Sequence, residues 1–163
     1  FAVDGVSRAL THQLVRHRLA SFNQQSQRYV KFSDGVETVK PHTVEENEEA
    51  SRVFDETIEA VIEGYQKLLD MGIPAEDARY LLPNAAETKI VITMNIRELL
   101  HFFSLRCCNR AQWEIREMAH KMLELVRPTA PYIFMDAGAP CIRGNCPEGK
   151  MTCGNPYPKV VRD

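Results

Sequence analysis

Residues 16 to 28 read Arg16-His17-Arg18-Leu19-Ala20-Ser21-Phe22-Asn23-Gln24-Gln25-Ser26-Gln27-Arg28. Three cationic or protonatable side chains stand in a row, then hydroxyls and amides, then a closing arginine. Ordering a backbone costs about 1–2 kcal/mol per residue, and this stretch has almost no apolar surface to offset it. Hydrogen bonds or a ligand must do so instead. Guanidinium groups bind phosphate or carboxylate bidentately. Serine hydroxyls, side-chain amides and loop N–H groups can complete an anion cradle. Phe22 and Tyr29 add flat surfaces for a planar ring. Phosphate donors beside aromatic faces suit a nucleotide; the plainer alternative is a solvated helix end.

The 163 residues suffice for one domain with a real core. The formal net charge of -2 argues against bulk attraction to nucleic acid or membrane. That total hides an asymmetry. Arg8, Arg16, Arg18, Arg28 and Lys31 share the stretch from 8 to 31 with no acid, whereas 45 to 63 is dominated by Glu and Asp. No segment approaches the ~20 apolar residues of a membrane span. Five cysteines, with Cys107 and Cys108 adjacent, fit a reducing cytoplasm better than a disulfide framework. The chain opens without Met inside an apparent strand, so an upstream part of the domain is expected to be missing.

Ser7 suits the N-cap of a helix from about Arg8 to His17. The polar run from Leu19 to Arg28 has neither helical nor strand period and reads as an ordered loop. Residues 29–32 and 36–39 alternate around Ser33-Asp34-Gly35, as in a hairpin. Thr43 and Glu46 have capping-box spacing and open a long helix to about Met71, with Gly72 as its cap. Val53, Phe54, Ile58, Val61, Ile62, Tyr65, Leu68 and Leu69 form its stripe. A short helix follows Pro74, then a strand over 88–94. Asn95 caps a helix to about Cys108, and another spans 111–126 with Ile115, Met118, Ala119, Met122 and Leu123 inward. Trp113 reads as core. The predicted fold is a helix-rich α+β single domain, 1–163, with a small antiparallel sheet and an irregular Cys/Pro/Gly-rich tail over 129–163.

Arg16-His17-Arg18, seven residues, then Ser26 resembles the signature of flavin-dependent thymidylate synthases, and Ser21, Asn23 and Arg28 match its fuller form. Further blocks resemble the family in order: 76–83 with Arg79 and Leu82-Pro83, 95–106 from Asn95 to Arg106, and 111–116. The resemblance implies conversion of dUMP to dTMP. Methylenetetrahydrofolate gives the carbon, reduced FAD the hydride, and NADPH re-reduces the flavin.

By the same resemblance, Arg16, His17, Arg18, Asn95, Ile96, Arg97 and His101 hold FAD. Gln13, Arg16, Gln24, Gln25, Ser26, Gln27, Arg28, Arg79 and Arg106 hold dUMP. Some relatives carry Glu where this chain has Gln24, and an amide cannot serve as a base there. Arg106 is the expected catalytic residue. Uracil is a poor carbon nucleophile until negative charge develops on its ring, and a fixed guanidinium favours that anion. No enzyme nucleophile is expected, so Cys107 and Cys108 are assigned to packing and Ser26 to binding.

Arg97 and His101 are four apart and share a helix face. Arg106 lies nine beyond Arg97, roughly opposite at ~100° per residue. Sites shared between subunits accommodate such divergence, and the family is homotetrameric.

Two rival readings remain. The basic stretch from 8 to 31 could belong to a nucleic-acid-binding module, with Phe22 and Tyr29 as stacking surfaces. Cys141, Cys146 and Cys153 could hold a structural metal, but their spacing is looser than that of common zinc sites, so no metal is expected.

Overall fold

A computed structural model describes residues 1–27 and 36–159. It is helix-rich α+β with a small antiparallel sheet of order β1–β3–β2. The strands are β1 (Ala2–Ser7), β2 (Ala20–Gln24) and β3 (Glu87–Met94). The helices are α1 (Arg8–Leu14), α2 (His42–Glu45), α3 (Glu48–Asp70), α4 (Ala75–Ala78), α5 (Ile96–Arg106), α6 (Trp113–Val126) and α7 (Pro131–Phe134). The chain divides into two compact units. One, the sheet unit, comprises Ala2–His12 and Phe22–Ile92; the other, the helical unit, comprises Phe1, Gln13–Ser21 and Thr93–Asp163.

In the sheet unit, β1 pairs antiparallel with β3. Ala2 and Val3 face Val91 and Ile90, but Val6 and Ser7 face Thr88 and Glu87, so β1 carries one extra residue. Gly5 takes up the bulge with φ +72°, a left-handed conformation that glycine adopts without a Cβ clash. The bulge turns Val6 inward, where it is buried. Ser7 then caps α1, its Oγ accepting from the Leu10 N–H at 3.0 Å. Leu10 is fully buried.

The polar run expected to be a loop contains β2 instead. Its side chains are exposed or half-buried, and none supplies an apolar alternation. Backbone pairing with the sheet, continued where the Gln25 N–H donates to Lys89 O at 2.9 Å, forms a strand that side-chain pattern does not announce. The hairpin turn and its first strand fall within 28–35, outside the described residues. From its second strand, Thr38 makes an isolated antiparallel bridge to Ala86.

The long helix starts later than the capping-box spacing suggests. Pro41 opens the short α2, and Asn47 caps α3, its Oδ1 accepting from the Ala50 N–H at 3.0 Å. Its C-terminus has a Schellman arrangement: Gly72 N–H bonds Leu69 O at 2.9 Å and Ile73 N–H bonds Leu68 O at 3.0 Å. Gly72, at φ +83°, is the residue just past the cap, which is Met71. Of the stripe on α3 only Tyr65 is buried; Val53 stays 52% exposed.

The helical unit packs α5 against α6. Asn95 and Gln112 cap these helices, accepting from Glu98 N–H at 2.9 Å and Ile115 N–H at 3.2 Å. Ile115, Met118, Ala119, Met122 and Leu123 are all buried, as the periodicity predicts, whereas Trp113 is half-buried. Phe103 lies edge-to-face with Phe102 and Phe134, at centroid distances of 5.8 and 6.2 Å. Phe134 shows that the tail contributes to this core despite its irregular path.

Phe103→Ala removes a fully buried ring from that cluster and is expected to destabilise the protein by about 3–5 kcal/mol. The exposed Leu125→Ala should stay within about 0.5 kcal/mol. Denaturant unfolding followed by circular dichroism measures both.

Candidate active site

The centre of the helical unit is a histidine that the sequence places at an exposed-looking helix end. α1 stops at Leu14, and a tight turn, with the His17 N–H on Leu14 O at 3.1 Å, carries His17 inward. Its ring is 5% exposed and packs edge-to-face on Phe102, with centroids 5.0 Å apart. Nδ1 lies 3.0 Å from Glu98 Oε1, and Nε2 accepts from Arg106 Nε at 3.0 Å. Glu98 is 4% exposed. Arg106 Nη2 also donates to Gln13 O at 3.4 Å.

These contacts fix the protonation of the imidazole. A guanidinium has only donors, so Nε2 must present its lone pair. The ring is therefore neutral, and its proton sits on Nδ1, donated to the Glu98 carboxylate.

His17 is pushed below the ordinary histidine range, by burial first. The Glu98 hydrogen bond opposes this, while Arg106 and His101 add to it. The folded chain thus takes up its proton at lower pH than the unfolded chain. The stability contributed is complete above the unfolded value of about 6.5 and is lost as pH falls through the folded value.

Arg106 is half-buried and its pKa is lowered by burial and then by Arg16. Two guanidinium groups thus repel one another at the edge of this network. Arg16, Arg18, Arg97 and His101 are exposed, as are Asn95 and Ile96 at the start of α5. Asn95 spends its side-chain oxygen on the helix cap. Although Arg97 and Arg106 leave α5 in different directions, His101 and Arg106 both come close to His17, His101 with ring centroids 6.1 Å away. The fit to an anionic cofactor is in the donor set: exposed guanidinium groups, one of them already repelling a neighbour. His17 is different, because both its ring nitrogens are engaged inside the protein.

The sheet unit holds the other group. Gln24 donates its Nε2 to Thr11 Oγ1 at 3.1 Å and Thr88 Oγ1 at 3.4 Å. Gln25 and Ser26 are half-buried. Gln27 is buried, and its Nε2 has no hydrogen-bond partner among the described residues. A buried amide donor left in this way calls for an acceptor. Arg28 lies outside the described residues. Arg79, on the 3-10 turn after α4, donates Nε to Glu76 O at 2.9 Å. Arg8, named from the sequence only as part of the basic stretch, has its pKa lowered by burial and then by Arg79. A second pair of like charges is therefore held together, an arrangement that an anion relieves.

Cys107 is fully buried and burial pushes its thiol up to about 12, so it is no nucleophile. Cys108, Cys141, Cys146 and Cys153 line a cavity of about 420 Å³ beside Arg106 and Tyr157. Among the described residues no group of three or more His, Cys, Asp or Glu could hold a metal ion.

Glu98 is the buried partner of His17 that sequence reasoning passed over, because Glu three places after Asn95 reads as part of a helix cap. Its signal was the spacing of Glu98, Phe102 and Arg106, one helix face at steps of four. In a 15N-detected titration, His17 should be a neutral Nδ1–H ring at pH 7 with its midpoint below about 6.5. Stability to denaturant should fall as pH drops through that midpoint.

The family model described as "Thymidylate synthase complementing protein" matches residues 1–132. The chain is 59% identical over 155 residues to the flavin-dependent thymidylate synthase of Geobacter sulfurreducens, covering 94% of this chain and 67% of that protein. It is 52% identical over 168 residues to the enzyme of that name from Nitratidesulfovibrio vulgaris, covering 97% and 68%. It is 48% identical over 170 residues to the one from Clostridium tetani, covering 94% and 68%. A match over most of the chain, at this identity, places it: the chain belongs to the flavin-dependent thymidylate synthase family.

Proposed function

We propose that this chain converts dUMP to dTMP, using methylenetetrahydrofolate as the one-carbon donor and NADPH to reduce a bound FAD. It is an enzyme of a flavin-dependent thymidylate-forming family. The observation that carries the finer reading is Arg106: a half-buried guanidinium, oriented by His17 and the Gln13 carbonyl, with Arg16 as a like-charged neighbour. Such a cation is preorganised for charge that develops on a ligand.

A bound flavin supplies the hydride. The protein residues bind and polarise. Arg16, Arg18, Arg97 and His101 offer cationic and hydrogen-bonding groups to the cofactor, with Asn95 and Ile96 at the start of the same helix. Arg106 stabilises negative charge on the uracil ring, which makes its carbon nucleophilic. Arg79, with Arg8 beside it, offers charge to a phosphate. Gln13, Gln25, Ser26, Gln27 and Arg28 complete the nucleotide contacts, and the orphaned Gln27 amide supports that role. Gln24 is an amide and cannot take up a proton as a base, and its nitrogen is committed to Thr11 and Thr88. The buried Cys107 takes no covalent part.

Assembly into a homotetramer with sites shared between subunits belongs to the same reading, as does a cytoplasmic location. The stripe on α3, half-buried apart from the exposed Val53 and the buried Tyr65, supports the assembly: Val53, Phe54 and Ile58 line an open groove of about 650 Å³ with Val44 and Pro83. No helix among the described residues is long and apolar enough to cross a membrane.

Purified protein given dUMP, methylenetetrahydrofolate and NADPH should form dTMP. Arg106→Ala should lower kcat by roughly 10²–10³-fold, the effect of losing one aligned charge-stabilising donor, while the flavin absorbance of the purified protein is retained. Absence of dTMP, or full activity in Arg106→Ala, overturns the assignment. Val53→Glu should shift the species seen by light scattering toward smaller assemblies.

A further inference from the structure

We propose that Glu98 and His17 form a positioning relay for Arg106, in which Glu98 fixes the tautomer of His17 so that Nε2 holds and aims the guanidinium. This rests on the assignment of Arg106 as the residue that polarises the nucleotide.

The argument starts from donors and acceptors. Arg106 Nε has one hydrogen, and it points at His17 Nε2 at 3.0 Å. That bond exists only while Nε2 carries a lone pair. A neutral imidazole has two tautomers of similar energy in water, and only one of them can accept from Arg106. Glu98 selects it. Its carboxylate lies 3.0 Å from Nδ1, is almost wholly buried, and can only accept when ionised. With Nδ1–H donated to Glu98, Nε2 is obliged to be the acceptor. Arg106 is then held at two points, Nε on His17 and Nη2 on the Gln13 carbonyl. The rotation of its planar head is fixed.

Charge follows the same line. A buried carboxylate is costly without compensation. Here a neutral imidazole separates it from a guanidinium, so Glu98 is compensated without ion-pairing Arg106 directly. A direct pair would neutralise the cation that the substrate is to meet. The relay keeps the positive charge available and still fixes its direction. Its pH limit is built in. A proton on Nε2 would set two donors against each other and release Arg106. The charged and titratable groups facing His17 and Arg106 are Glu98 and His101 on α5 and Arg16 on the turn after α1. Glu98 alone favours the proton.

The role is positioning, because Glu98 and His17 are shielded from any ligand and act through Arg106. The test uses the flavin-loaded full chain and three readouts. First, 15N spectra of labelled histidine should show His17 as Nδ1–H in the wild type and shifted toward Nε2–H in Glu98→Leu, which removes the acceptor. Second, calorimetric dUMP affinity should fall about ten- to a hundredfold in Glu98→Leu, the scale seen when a group that orients a ligating histidine is lost. The same substitution in an Arg106→Ala background should cost nothing further. Third, in the wild type, the Arg106 Nε–H resonance should broaden with the same pH midpoint as His17; this needs no variant to fold.

Losses that multiply in the double variant, an unchanged tautomer in Glu98→Leu, or an Arg106 signal indifferent to His17 protonation overturn the relay. Failure of the underlying assignment looks different. The tautomer and the coupled midpoints would then hold, while Arg106→Ala leaves dUMP affinity and dTMP formation unchanged.

Discussion

A carboxylate that is almost fully buried has to be compensated, and Glu98 is compensated by His17. Much of the helical unit depends on this hydrogen bond. Breaking a hydrogen bond to a charged group costs about 1.5–3 kcal/mol in stability, and leaving the carboxylate unpartnered would cost more. The bond also fixes which imidazole nitrogen accepts, and through it the direction of Arg106. Packing reinforces it: Phe102 presents its ring to the same imidazole and is itself fully buried beside Phe103. The tautomer, the orientation of Arg106 and the local packing therefore rest on one set of contacts, and α5 supplies nearly all of them.

The sheet unit solves a different problem. Its polar residues near 24 to 27 offer little to a core, so the backbone orders them. β3 lies between β1 and β2 in the sheet. A bulge at Gly5 turns Val6 inward and leaves Ser7 placed to cap α1. Gln24 then anchors on two threonine hydroxyls, and Gln27 is buried with an amide donor still to be met. Each unit also carries arginines that raise one another's cost, Arg16 with Arg106 and Arg8 with Arg79. Such pairs are destabilising in an empty protein and are relieved by an anion. That cost is the electrostatic ground for assigning both pairs to anionic ligands in the proposed reading.

Much of this was legible one residue at a time. Ser7 and Asn95 declared their helix starts, because a side-chain acceptor beside an amphipathic run has one obvious use. The inward face of α6 followed from its period. The later start of α3 was missed because Pro41 and Asn47 competed with Thr43 for the cap, and the geometry between them decides which wins. β2 was missed because an edge strand held by main-chain bonds needs no apolar alternation. The arginines were named from type and spacing alone, but the pairing of Arg8 with Arg79 joins residues far apart in the chain.

By itself, the sequence determined the local elements, the chemical character of residues 16 to 28, and the family to which those residues point. These depend on neighbours within a turn or two, or on a pattern of residue types, and both are written in order along the chain. Only the tertiary structure decided what His17 does. Its partners lie 81 and 89 residues away, and which ring nitrogen carries the proton depends on both at once. No local pattern encodes a tautomer; it is set by which donors and acceptors folding brings to either side of the ring.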